Sequence, residues 1–153
     1  MKLKIKENLP KLWVKQFPWK KKSGHKYTRG RVIIHGGKKE FTGATILAAE
    51  AALRTGTGSV KIISNSKTFQ IFSLKFPSVL KYEIKNINEL KKFLIKEKIT
   101  SMLIGPGLGK GKKIKEITKL ILKKVKHVVI DADAITCFQD DLNLFYKLLD
   151  KNK

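Results

Sequence analysis

The sequence predicts an α/β fold with a mainly parallel sheet flanked by helices. Three observations support this prediction. Short continuous apolar runs recur along the chain, segments with helical apolar spacing separate them, and glycines or aspartates follow the runs. Continuous runs are typical of parallel strands that are buried on both faces. The 153 residues, 42% of them hydrophobic, are enough for one packed domain.

The first predicted unit is strand, helix, strand. Residues 31–37 predict a strand, residues 42–54 a helix that Thr42 can cap, and residues 59–64 the next strand. Such a unit implies a right-handed parallel crossover. The helix is expected to pack closely on the sheet through small and aliphatic residues: Ala44, Ile46, Leu47, Ala48, Ala51, Ala52 and Leu53.

Later segments continue the alternation. Residues 68–74 predict a short helix and residues 79–84 a minor strand. A helix over 88–98, capped by Asn88, follows, and buried strands over 101–104 and 127–130 enclose a helix over 112–126. A last helix covers 141–150. The inward residues of the two outer helices are expected to be Leu90, Phe93, Leu94 and Ile95, and Leu142, Leu144, Phe145, Leu148 and Leu149.

Charge dominates the composition but is a weak guide to function. The net charge is +22, yet only Arg29, Arg31 and Arg54 are arginines. Base readout and phosphate forks favour arginine, so we interpret the lysines as a solvated surface that reflects compositional bias. A basic module for RNA or DNA is the alternative of a different class. Non-specific contact with polyanions is expected at low salt in either case.

Two further features of the sequence concern the cellular compartment and residues 1–24. A single cysteine, Cys137, excludes an internal disulfide and favours the cytoplasm. No apolar run reaches the length of a membrane span, and the sequence shows no signal peptide. Residues 1–24 predict an N-terminal arm or former interdomain linker, punctuated by Pro10 and Pro18. Its aromatic residues are expected to dock on the domain: Trp13, Phe17 and Trp19.

Two glycine turns follow predicted strands and are candidate ligand sites. Gly36-Gly37 and Thr42-Gly43 lie between the first strand and its helix, where free N–H groups and the helix dipole favour anions. The second turn, GPGLG at residues 105–109, lies where open α/β sheets bind ligands. It fits neither the Walker pattern nor GxGxxG. The alternative for both turns is a loop that needs positive φ.

Titratable residues add weaker candidates. Asp131 and Asp133 follow the strand at 127–130, where a metal or general-base role competes with a structural one. His25 with Lys26 could bind an anion, although a lone loop histidine is more often a surface residue. We interpret His35 and His127 as packing residues and Cys137 as a small core residue.

Taken together, these segments resemble a known family. GHKYTRGRVIIHGG, FTGATILAAEAALRTGTGSVKI, LIGPGLG and VVIDADAIT occur in the order found in the ADP/ATP-dependent (S)-NAD(P)H-hydrate dehydratases, which have a ribokinase-like fold. The resemblance covers roughly residues 8–150. It implies removal of water from the S epimer of hydrated NADH or NADPH, with ADP or ATP and Mg²⁺. The leading NLPKLWVKQFPW also resembles the joint that follows an epimerase domain in bifunctional members.

The resemblance also implies site residues. Thr42, Gly43 and Ala44 match the family's Thr-Gly-Ala turn and would contact the hydrated dinucleotide. Gly105, Gly107 and Gly109 of GPGLG would contact the same substrate, with Gly107 foremost. Two further pairs complete the implied set: His25 and Lys26 near the pocket rim, and Asp131 and Asp133 at the floor, helping to place the cation.

Three motifs of the family do not occur in this sequence. The family's His-x-Gly-Glu turn, Lys-Gly nucleotide-binding strand and GTGD motif, whose Asp is the catalytic residue, have no counterpart in the sequence. GTGS at 56–59 lies elsewhere, and a serine is no base near neutral pH. We therefore expect residues 25–153 to form the N-terminal half of the domain, apparently truncated, without a catalytic residue or a metal site of its own. A complementing C-terminal half is the expected partner, and an exposed apolar strand edge the expected consequence.

Within enzymes, the alternative is a fragment of another ribokinase-like small-molecule kinase. The HKYTRG and GPGLG segments fit that alternative less well.

Overall fold

The computed structural model describes residues 6–17, 19, 23–97, 99 and 101–150. Five parallel strands form one sheet in the order β3-β2-β1-β4-β5. The strands are β1 (Arg31–His35), β2 (Ser59–Ser64), β3 (Leu80–Glu83), β4 (Ser101–Ile104) and β5 (His127–Ile130). Pro18 and Lys98, which enter the predictions for the arm and the third helix, lie outside the described residues. The predicted parallel α/β architecture is confirmed.

Helices connect the strands and cover both faces of the sheet. They are α1 (Thr42–Arg54), α2 (Ser66–Lys75), α3 (Ile87–Lys96), α4 (Lys112–Lys124), the short α5 (Asp133–Thr136) and α6 (Leu142–Asp150). Within the described ranges, no helix is long and apolar enough to cross a membrane.

The core has one apolar layer on each face of the sheet. Alternation along β1 sends Ile33 to the layer under α3 and α4, and Ile34 to the layer under α1 and α2. Both side chains are buried, as the continuous apolar run predicts. A smaller cluster of Leu122, Phe138 and Leu148 seats α6.

Asparagine side chains cap α2 and α3: Asn65 caps α2 and Asn86 caps α3. The Asn86 side chain accepts hydrogen bonds from the backbone N–H groups of Asn88 and Glu89, both at 3.0 Å, so the predicted cap at Asn88 is wrong by two residues. Thr42 does not cap α1 either. It is already helical, and its hydroxyl donates to Lys39 O at 3.4 Å.

Several predicted inward faces are rotated. On α1 the buried residues are Thr45 and Ala49, whereas Leu47 is 68% exposed, because it lies on the opposite face of the helix. Ile95 and Leu142 are also exposed. The strand predicted as buried at 127–130 is an edge strand with Val129 62% exposed.

The aromatic residues of the first segment contact one another. The ring centroids of Phe17 and Trp19 lie 4.7 Å apart, those of Trp13 and Phe17 6.1 Å apart, and Trp19 Nε1 donates to Val14 O. Trp13 and Trp19 remain exposed. The expected docking of these rings in the domain is therefore wrong, because the cluster is local.

One ion pair is largely buried. Lys61 on β2 points to the α3 side of the sheet, where its Nζ contacts Glu97 Oε2 at the end of α3 and lies 5.2 Å from the Tyr82 ring centroid. Lys61 is a charged residue inside the strand, so Glu97 and the ring compensate its burial.

We expect Asn86→Ala to lower the free energy of unfolding by about 1 kcal/mol, because α3 loses its N-cap. Asn88→Ala, two residues along, is the matched control and should change stability by less than about 0.5 kcal/mol. Urea unfolding followed by circular dichroism measures both variants. Equal losses would contradict the assignment of the cap.

We expect Glu97→Ala to destabilise the protein by roughly 3 kcal/mol, because Lys61 would stay buried without its carboxylate. Glu50→Ala breaks the exposed Glu50–Arg54 pair and should cost no more than about 0.5 kcal/mol. The two variants are compared by their denaturant midpoints, provided that the slope of the unfolding free energy against denaturant concentration is unchanged. A loss for Glu97→Ala no larger than that for Glu50→Ala would show that the buried pair does not stabilise the fold.

Candidate functional site

The candidate site lies at the carboxyl edge of the sheet, between β1 and β4, where the strand order reverses direction. Ligands of open α/β sheets bind at such points. At this edge the two glycine turns meet. Lys38 N donates to Gly107 O at 2.8 Å, and a Cβ placed on Gly37 would lie 2.9 Å from the same oxygen. Only a residue without a side chain permits this approach.

The GPGLG loop is also fixed to the end of β5. Asp133 Oδ2 accepts a hydrogen bond from Gly109 N at 2.7 Å. A Cβ on Gly105, whose φ is +133°, would lie 1.7 Å from Asp131 O. The structure thus brings together four of the predicted site residues: Gly105 with Asp131, and Gly109 with Asp133. Their observed contacts are structural.

The start of α1 lies against the same loop. A Cβ on Gly107 would lie 2.4 Å from Phe41 Cβ, so the loop touches the residue that precedes Thr42. Gly37 N donates to Thr45 Oγ1 at 3.2 Å, which ties the strand end to the first turn of the helix. Gly43 and Ala44 are exposed, and the space around Gly43 is open. The Thr-Gly-Ala turn and Gly107 therefore form one surface.

A cavity of about 300 Å³ opens beside this surface, between α3 and α4. Backbone of the candidate turn Gly36-Gly37 forms one wall. The apolar wall of the cavity is formed by Leu90, Leu108, Ile114 and Ile117. None of the site residues that the family resemblance implies lines the cavity. The resemblance pointed to the surface around Gly107, whereas the concave space extends one strand further, beside β2.

Polar residues of the cavity are basic or neutral. Lys38, Lys85, Lys110 and Lys113 surround it, and its described lining includes no acid. Ser64, the last residue of β2, also lines the cavity and is 3% exposed. Among the described residues its Oγ is buried without a hydrogen-bond partner.

His35, which sequence reasoning set aside as packing, lines this cavity at the end of β1. Burial lowers its pKa below the usual value of 6.5, and the charge of Lys113 lowers the pKa further. The hydrogen bond between its Nδ1 and Gly36 O, 3.2 Å apart, opposes this shift by raising the pKa. Desolvation dominates, so the neutral ring is favoured in the folded protein.

His25 and Lys26 lie at the opposite edge of the sheet. A Cβ on Gly58, immediately before β2, would lie 1.6 Å from Lys26 O, which places this segment at the amino ends of the strands. Neither residue lines the cavity. The reason is topological, because the segment precedes β1 whereas the cavity follows it.

The described residues do not offer a cage for a divalent cation. No group of three or more His, Cys, Asp or Glu side chains occurs among them. Asp133 already accepts from Gly109 N, and the nearby cavity is surrounded by lysines. Magnesium prefers carboxylate oxygens, so the residues present do not fit a resident Mg²⁺.

Sequence reasoning missed His35, Ser64 and the four cavity lysines. The signal for Ser64 was available, because it ends a predicted parallel strand just as His35 and Ile104 do. The lysines carried no signal. They are four among 34 basic residues spread over the whole chain, and only the fold shows which ones converge.

We expect the stability of the protein to fall as pH drops from about 7 to about 5 through the titration of His35. Its folded pKa is lowered, so the unfolded chain binds the proton first and stability is lost on acidification. His35→Gln should flatten this part of the curve. Thermal unfolding between these pH values provides the measurement; parallel curves for wild type and His35→Gln would contradict the prediction.

Comparisons with known proteins agree with this architecture. A family model described as NAD(P)H-hydrate dehydratase matches residues 32–150. An ADP-dependent (S)-NAD(P)H-hydrate dehydratase of Listeria monocytogenes is 34% identical, with 88% of this chain and 49% of the relative covered. A bifunctional NAD(P)H-hydrate repair enzyme of Dictyoglomus turgidum is 33% identical over 79% of this chain and 26% of the relative. The chain thus spans about half the length, or less, of the curated relatives it matches.

Solved structures show the same fold. A ribokinase-like superfamily protein of Enterococcus faecalis aligns with a TM-score of 0.68 at 27% identity, covering 80% of this chain and 43% of that one. An ADP/ATP-dependent NAD(P)H-hydrate dehydratase of Bacillus subtilis, co-crystallised with ATP and Mg²⁺, aligns with a TM-score of 0.65 at 24% identity, covering 76% of this chain and 42% of that one. The parallel sheet, the glycine turns and the family match over residues 32–150 together show that this chain belongs to the NAD(P)H-hydrate dehydratase family, with a ribokinase-like fold.

Proposed function

We propose that this chain contributes the dinucleotide-binding part of an ADP/ATP-dependent dehydratase acting on the S epimer of hydrated NADH or NADPH. The observation that carries the proposal is the junction of Gly107 with the start of α1, at the point where the strand order reverses. It presents backbone and small side chains to a ligand, as close approach to a large substrate requires.

The ten residues suggested by sequence take different roles in this proposal. Thr42, Gly43, Ala44 and Gly107 face the dinucleotide. Gly105, Gly109, Asp131 and Asp133 hold the loop in place through their mutual contacts. His25 and Lys26 act away from the cavity, at the amino edge of the strands, where Lys26 Nζ lies 5.2 Å from the Tyr27 ring centroid.

Catalysis and nucleotide binding are proposed to require further polypeptide, on the same chain or another. Residues 1–153 contain no GTGD motif, and curated relatives are about twice as long. ADP or ATP is the proposed cosubstrate, since relatives are named ADP- or ATP-dependent. Magnesium would accompany the nucleotide, because the described residues do not fit a resident cation.

Residues 1–24 are proposed to be an N-terminal arm or a former interdomain linker. The Dictyoglomus relative is named as bifunctional, and its match covers only 26% of its length. We place the protein in the cytoplasm on its single cysteine.

We expect residues 1–153 alone not to regenerate reduced nicotinamide from the S hydrate with ADP or ATP, because they lack the GTGD motif whose Asp is the family's catalytic residue. Fused to the second half of the Listeria enzyme, the chain should turn over. The absorbance of the reduced nicotinamide reports both reactions. Turnover by the chain alone would contradict the assignment of the base, and a folded but inactive fusion would contradict the proposed activity.

We expect Gly43→Ala to weaken binding of reduced dinucleotide about tenfold in that fusion, because a methyl group would occupy the proposed contact surface. The substitution should leave stability equal or higher by about 0.5–1 kcal/mol, since alanine favours the helix and the surrounding space is open. Leu47→Ala, on the exposed surface of the same helix, is the control and should not change affinity. Titration by nicotinamide fluorescence measures binding. Unchanged affinity for Gly43→Ala would remove Gly43 from the site.

A further inference from the structure

The cavity beside the glycine turns has a chemistry of its own. We propose that it binds the phosphate group of a phosphomonoester whose apolar body contacts the wall formed by α3 and α4. This site is additional to the proposed dehydratase surface and does not depend on that activity.

The lysines around the cavity determine that its ligand is negatively charged. Lys38, Lys85, Lys110 and Lys113 converge on one opening from three connections and the start of α4. The described lining contains no acid to neutralise them. Like charges placed together are unfavourable unless an anion compensates them. The cluster therefore selects a multiply charged anion, and a phosphomonoester carries close to two negative charges at neutral pH.

The start of α4 points to the same ligand. Asn65 and Asn86 cap α2 and α3, whereas α4 begins after Gly111 without a side-chain cap and with Lys112 and Lys113 in its first turn. Basic residues at a helix N-terminus oppose the macrodipole, and the first N–H groups lack partners within the helix. A bound anion relieves both defects, with Lys113 next to it.

The apolar wall excludes a bare inorganic ion as the complete ligand. Leu90, Leu108, Ile114 and Ile117 give the cavity an apolar lining beside its polar residues. The volume of about 300 Å³ exceeds that of one phosphate group and lies at the lower end of small-molecule pockets. The ligand thus combines a phosphate with a compact apolar or aromatic body, as a nucleoside monophosphate does. The free nucleotide and the phosphorylated ribose of a dinucleotide share this chemistry.

The test is isothermal titration of residues 1–153 with AMP, inorganic phosphate, NADP⁺ and NAD⁺, without turnover. Lys113→Ala should weaken AMP binding roughly tenfold, because it removes one charged hydrogen bond to phosphate. Lys124→Ala is the matched control: it removes the same charge from the same helix, about 16 Å away along the axis, and should leave affinity within about twofold.

The outcomes separate the sources and the alternatives. Tighter binding of NADP⁺ than of NAD⁺ supports the proposal with the dinucleotide as source, and AMP binding with no such preference supports it with a free nucleotide. Equal losses for Lys113→Ala and Lys124→Ala would overturn it in favour of diffuse surface charge. Inorganic phosphate binding as tightly as AMP would overturn the role of the apolar wall. Because no step requires catalysis, failure of the dehydratase assay and failure of this titration are distinguishable.

Discussion

The carboxyl edge of the sheet depends on the backbone of residues 105–109. This loop accepts a hydrogen bond from the β1–α1 connection through Gly107 O and donates one to the β5 end through Gly109 N. Three non-adjacent parts of the sequence are joined there, by main-chain groups at Gly107 and by the Asp133 carboxylate at Gly109. Side chains cannot replace glycines at such contacts, because the backbones already lie at van der Waals distance. The loop is therefore first a structural joint, and it shapes the surfaces on both of its sides.

Local patterns predicted the strands and most helices well, because each depends on residues close in sequence. The bounds of β2, β4, β5 and α1 coincide with the predicted ones. Caps and faces were less accessible. The competition between Asn86 and Asn88 is decided by which one has extended backbone, and the exposure of Leu47 by which face of α1 turns toward the sheet. Both properties arise from tertiary packing rather than from periodicity.

The candidate site was likewise predictable only where it depends on residues close in sequence. GPGLG and the Thr-Gly-Ala turn were predictable from their place after apolar runs, whereas the cavity lysines were hidden by a lysine-rich composition. His25 and Lys26, which the family resemblance places near the pocket rim, lie at the amino ends of the strands and do not line the cavity. The helices around the cavity differ in how their N-termini are capped. Two helices around it have side-chain caps, and the third carries basic residues at an uncapped start.

The strand order has a consequence for how this edge is made during folding. β1 pairs with β2 after a single helical crossover, but its other neighbour, β4, comes far later in the chain. Closing that long connection is the slow, entropically unfavourable step in a parallel topology. The glycine turns and the cavity both lie across the β1–β4 seam, so neither exists before the seam closes. A ligand that binds there recognises only molecules in which β1 and β4 have paired, and so shifts the folding equilibrium toward them by mass action.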